Sequence, residues 1–264
     1  MHIIKWEIRS NLKSLIIWSL IFIVLIFMMT SEFSAYYDNP EMEDMMDMFP
    51  ESMLKALSME NANLTTTTGY LSLVALYFYL MVGVFAVLLG SNIISKEERD
   101  KTAEYLMTLP VSREKIIFSK WVTALINCVI LDIVIALSTI AAMFKYNLDA
   151  EFYKFLINLS LAMLLMMLIF LSVGMFLASV LKRYKSSGKI SASLLMGLYF
   201  INVLAALSDK LDFLKYITPF KYFEASKILN RPGLEPKYVI LSFAIIFVGV
   251  LGTFMIYPRR DLHI

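Results

Sequence analysis

The chain has 264 residues, 59% hydrophobic and 17% charged, with 24 Lys/Arg against 22 Asp/Glu and a mean hydropathy of +0.70. That balance lies far outside the soluble norm and points to an integral membrane protein. A single cysteine, Cys128, inside an apolar run excludes a disulfide framework and a Cys-based metal site. The net charge of +2 implies no nucleic-acid partner; what matters is where the charges fall along the chain.

In chain order, His2–Lys13 is an amphipathic basic leader in which Ile3, Ile4, Trp6 and Ile8 alternate with Lys5, Arg9 and Lys13. It is predicted to be an N-terminal interfacial helix, its Trp at headgroup level and its cations near anionic lipid. Apolar runs then predict six spans at about 14–30, 70–94, 116–144, 155–181, 190–208 and 238–257. The first is long and lacks a small-residue cleavage pattern, so it is expected to stay as an anchor. Residues 31–69 form a first outer loop, where Glu32–Asn63 carries eight acids against Lys55 alone. Gly83, Ala86 and Gly90 offer a close-packing seam in the second span, and Gly174 with Ala178 another in the fourth. Lys182, Arg183, Lys185 and Lys189 form a basic loop around Gly188. Asp209–Lys237 is a polar connection before the sixth span, with Ile217–Leu229 expected as an amphipathic helix dipped back into the outer leaflet.

The longest strongly polar run between two apolar segments is Ser95–Trp121, SKEERDKTAEYLMTLPVSREKIIFSKW. Ala103, Leu106, Met107 and Leu109 recur at helical spacing before Pro110, and Ser112 is placed to cap a new helix after it, with Glu114 in the first turn. One reading is an ordinary loop between spans. The other is a short amphipathic helix along the membrane, a sharp corner and a return into the bilayer, which suits a docking surface.

With both termini inside, cytoplasmic segments hold fifteen Lys/Arg against nine outside, of 24 in all, which sets the orientation. The six basic residues of Asp209–Lys237 run against that rule. No phosphate-cradling glycine loop is present, the two histidines (His2 and His263) stand near the ends in no ligand pattern, and no base is placed beside a Ser or Cys nucleophile. The chain is therefore expected not to be an enzyme, and to bind no cofactor or metal itself. Asp132 is the one clear ionisable group within a span, either lining a polar pathway or hydrogen-bonding inside the helix bundle. Met42, Met45, Met46, Met48, Met53 and Met59 in the outer loop fit either soft Cu(I) ligation or one face of an amphipathic helix, the latter fitting better. Asn63-Leu64-Thr65 matches a glycosylation acceptor of little weight.

Glu98–Arg113, ERDKTAEYLMTLPVSR, followed by Lys120, resembles the signature of ABC-2-type transporter permeases. The resemblance places the motif on Glu98, Thr102, Glu104, Leu106, Leu109, Pro110, Val111, Ser112 and Arg113, with Glu97 beside it. The chain departs from the commonest form at Lys101, where many members have Gly. Thr218-Pro219-Phe220 with Tyr222-Phe223 is similar to that family's outer hairpin, and Tyr257-Pro258-Arg259-Arg260-Asp261-Leu262 to its usual ending. The resemblance implies an all-α bundle of six transmembrane helices, a cytoplasmic coupling helix in 95–115 and an outer re-entrant hairpin before helix 6. It further implies a permease half of an ATP-driven transporter in the cytoplasmic membrane of a bacterium, an exporter by family tendency. Its partners would be separate ABC ATPase subunits, which bind ATP and Mg, and a second permease copy or paralogue. The competing expectation is a stand-alone ion-coupled carrier or immunity protein working through Asp132.

Overall fold

The computed structural model describes residues 2–39, 63–102, 111–181, 184–207, 209–230 and 233–259. In lipid a backbone must satisfy its own polar groups, so long apolar runs become helices. Six helices are long and apolar enough to cross a membrane. They are α1 (His2–Phe33), α2 (Thr67–Arg99), α3 (Arg113–Met143), α4 (Ala150–Val180), α5 (Tyr184–Leu207) and α7 (Pro236–Ile256), with a short α6 (Ala225–Asn230) before the last. The protein is an all-α, multi-pass membrane protein, with no strand among the described residues. Polar caps set several starts: Thr66 accepts from the Gly69 amide, Ser112 from Lys115 and Asp149 from Phe152. Pro236 opens α7, where a missing N–H costs nothing.

α2 and α4 pack along each other at the centre; α1 lies on α3, α5 on α2, and α7 on α4. The central pair is held at backbone distance by two glycines. A Cβ on Gly90 would meet the Leu171 carbonyl oxygen at 2.3 Å, and one on Gly174 would meet that of Val87 at 2.3 Å. The two small-residue seams expected from the sequence are thus halves of one contact. Near one end of this pair, Ser187 of α5 hydrogen-bonds Ser91 and, at 3.2 Å, Ser95 of α2.

Three expectations change. The basic leader is not a separate interfacial helix: α1 runs unbroken from His2 to Phe33, about 48 Å at 1.5 Å per residue. Of the basic loop around Gly188, Lys185 and Lys189 lie instead in the opening of α5, which is helical from Tyr184, while Lys182 and Arg183 lie outside the described residues. Ile217–Leu229 is not one amphipathic helix but a 3-10 turn (Pro219–Lys221) followed by α6. That segment nevertheless folds back among the helices. Thr218 donates to the Leu198 carbonyl at 2.9 Å, nine residues short of the end of α5, or about 13 Å along it. Phe220 is buried against Phe170 of α4 and Tyr199 of α5, with centroids 5.5 and 5.6 Å away. At the same end of the bundle Phe33, Tyr37, Tyr70 and Tyr146 form a ring cluster that joins the end of α1 to the start of α2.

Candidate functional site

The other end, called the base here, holds the start of α1, the last turns of α2, the first turns of α3 and the Tyr257–Arg259 turn after α7. Five charged side chains placed there are buried: Glu7 (1% exposed), Lys96 (6%), Glu97 (2%), Glu98 (6%) and Lys120 (0%). An isolated charge in such surroundings is expensive, so the arrangement must compensate it. The Lys120 ammonium has three donors and uses all three, to Glu97 Oε1 at 2.5 Å, the Ile93 carbonyl at 2.6 Å and Glu7 Oε1 at 3.2 Å. The second oxygen of Glu7 takes Lys96 Nζ at 3.3 Å, and that ammonium also lies 3.7 Å over the Trp6 ring. Lys96, Glu7, Lys120 and Glu97 alternate in sign and sum to zero. They tie three helices together where the 95–115 segment begins and ends.

The end of α2 explains the departure at Lys101. Asp100 N–H bonds to the Lys96 carbonyl at 2.8 Å and Thr102 N–H to that of Glu97 at 2.9 Å. This is the six-to-one closure of a Schellman motif, which requires its penultimate residue in the left-handed region. Lys101 sits there with φ +55°, a conformation that favours glycine. The glycine that the resemblance leads one to expect here would adopt that conformation without strain. Beside it the exposed Arg99 side chain bonds Asp100 at 2.9 Å and holds that carboxyl below its usual range.

Glu97 and Glu98 are thus buried in the last turn of α2, and Thr102 is exposed just after it. Glu104, Leu106, Leu109 and Pro110 lie outside the described residues, as do Met42 to Met59 of the outer loop. Val111 precedes the Ser112 cap, and Arg113 is the first residue of α3. Arg113 Nη1 donates to the Pro258 carbonyl at 2.8 Å, which fastens the start of α3 to the turn after α7.

With this base and the six helices in view, the comparison with protein families is decisive: a model described as ABC-2 family transporter protein matches residues 1–262. The chain belongs to the ABC-2 transporter family. No curated protein matches it. As an ABC-2 protein it is the membrane component of an ABC transporter, a class in which the permease associates with an ABC ATPase subunit.

Asp132 of this ABC-2 chain stands well away from the base. It is 7% exposed and accepts from Ser160 of α4 at 2.5 Å, while its Oδ1 has no hydrogen-bond partner among the described residues. The Ser160 bond is compatible with both of its expected roles, a polar pathway and hydrogen bonding within the bundle. The residue that sequence reasoning missed is Glu7, passed over as one acid in a basic leader. A signal was present. Glu7, Asn11, Leu15, Trp18, Phe22 and Ile26 recur at three- and four-residue steps, and Glu7, Leu15, Phe22 and Ile26 are buried. Carrying the helical phase of the first span back through the leader would have put Glu7 on its inward face.

Proposed function

We propose that this chain is the permease subunit of an ATP-driven exporter, coupled to separate ATPase subunits through residues 95–115 at the base. The reading places the base in the cytosol, in line with the fifteen-to-nine split of Lys/Arg and the acidic first outer loop. It places the chain in a bacterial cytoplasmic membrane with both termini inside. The chain carries no nucleotide site of its own in this reading and is not an enzyme; ATP and Mg act in the partner. Two permeases, identical or paralogous, form the path. The outward apolar faces of α1 (Ile16, Leu20, Val24) and α5 (Leu194, Phe200, Leu204) serve either lipid or that second copy.

The observation that carries the proposal is the buried Lys96–Glu7–Lys120–Glu97 chain. A push on a mobile loop between two independent spans would be absorbed by the loop. Here both flanks of 95–115 are fastened to each other and to α1 by charges that are costly to separate. A load applied to the segment moves three helices together.

The test is a mild-detergent pull-down of the tagged chain from its native membranes, with co-purifying proteins identified. A P-loop ATPase at one copy per permease, reduced at least tenfold by the charge reversals Glu98→Lys and Arg113→Glu, is the expected outcome. Absence of any ATPase after cross-linking would sink the proposal in favour of a stand-alone carrier, for which Asp132→Asn should abolish activity.

A further inference from the structure

We infer that α7 is a strut that carries movement of the base to the folded-back segment at the opposite end of the bundle, with Tyr257 and Arg113 forming its lower joint. The inference rests on the reading of residues 95–115 as the ATPase dock and extends it to a second route out of that site.

The lower joint has two independent contacts. Arg113, the last residue of the signature, spends one guanidinium donor on the Pro258 carbonyl at 2.8 Å. Next to it Tyr257 is 1% exposed and heads the fully buried side chains of the described residues by size. The turn it belongs to packs against α3. Tyr257 is also continuous with the helix, since its N–H bonds to the Thr253 carbonyl. The first turn of α3 cannot shift without either moving this turn or breaking both contacts.

The upper joint is aromatic. Tyr238, in the first turn of α7, stacks on Tyr222 with centroids 5.2 Å apart and planes 9° from parallel. Tyr222 in turn donates its hydroxyl to the Tyr216 carbonyl at 2.6 Å. The helix between the joints has 21 residues, about 32 Å. Its buried hydroxyls, Ser242 and Thr253, bond back to carbonyls four residues earlier in α7 and not to other helices.

Between its joints α7 packs closely on α4, its main neighbour, and the residues at that contact include Gly249 against Ser172 and Gly252 against the Phe176 ring. The glycines let Ser172 and Phe176 of α4 close on the helix, and Leu241, Ile245 and Ile246 pack against the core beside them; shear between packed helices is a known mode of domain motion. The opposite face, with Phe243, Phe247 and Val248, is exposed. A stiff helix fastened at both ends transmits axial displacement by shear along α4. The folded-back segment, which carries Phe220 into the centre of the bundle, is what it would displace.

The test uses the full complex purified with its own ATPase in lipid nanodiscs. Nitroxides are placed at Lys227→Cys, in α6, and at Tyr153→Cys, in α4, both exposed positions; the native Cys128 is buried and stays unlabelled. Their separation is read by dipolar EPR before and after trapping with ATP and vanadate. In the intact complex trapping should change the separation by on the order of 2–5 Å, the range of helix shifts in such transitions. Tyr238→Ala, at the upper joint and away from the dock, should keep the ATPase bound at the intact yield and lose most of that change. A second variant, Tyr222→Leu, removes the same stack from its other side and should do the same; it decides the matter if Tyr238→Ala fails to insert. An undiminished change in either variant with the ATPase bound overturns the strut. So does an intact complex that holds its ATPase and shows no change, with the dock left standing. If no ATPase accompanies the intact chain, the dock and the strut fall together.

Discussion

Lys120→Met is expected to destabilise the protein by about 3–5 kcal/mol, the usual cost of removing one partner from a buried ion pair. The lysine is wholly buried and neutralises Glu97 at 2.5 Å and part of Glu7 at 3.2 Å. Met fills similar space but leaves Glu97 with no cation among its recorded contacts. Glu7 is spared the same fate because Lys96 remains 3.3 Å from its other oxygen. The thiol of Cys128 is a built-in reporter, being buried in α3 and reactive only on unfolding. In detergent the midpoint for its labelling should fall by on the order of 10 °C. The double variant Lys120→Met with Glu97→Leu should recover most of the loss, because apolar replacement of both partners of a buried pair is often neutral. A single variant as stable as wild type would show that the base is wetter and its charges less coupled than described.

Gly90→Ala and Gly174→Ala should each cost about 3 kcal/mol, the upper end of the range for overpacking. Alanine favours a helix over glycine by roughly 1 kcal/mol, so intrinsic propensity predicts the opposite sign. Packing wins because each new Cβ would lie 2.3 Å from a backbone carbonyl of the facing helix, which no rotamer change relieves. Gly197→Ala, in α5, is the control: nothing stands within 4 Å of its Cβ position, and that variant should match or slightly exceed wild type. The same thermal labelling of Cys128 reads all three. Equal midpoints for the Gly90 and Gly197 variants would mean that α2 and α4 do not meet at backbone distance.

Much of this architecture could be read from the residues, for an identifiable reason. Membrane spans announce themselves through uninterrupted apolar length, a property of consecutive residues, so the six helices were visible without any knowledge of their neighbours. The Gly90 and Gly174 seams were visible singly. Their union was not, because it depends on which helices are adjacent. The base was half legible. Glu97, Glu98, Ser112, Arg113 and Lys120 stand in one polar run, whereas Glu7 and Tyr257 reach it from elsewhere in the chain. Glu7 was masked by its cationic neighbours, and Tyr257 was visible only as the start of the family-like ending. Ile217–Leu229 misled for another reason. Its apolar residues serve burial against α4 and α5 in short turns, and burial on several sides can imitate the periodicity of one long amphipathic helix.

The central claim is that an ATPase seats on the base and nowhere else, and site-specific photo-cross-linking in native membranes tests it most directly. A photoreactive residue at Lys101, exposed beside the end of α2, should capture a P-loop ATPase, and one at Lys227, 50% exposed at the opposite end, should capture none. Capture from Lys227, or from neither position, would contradict the account.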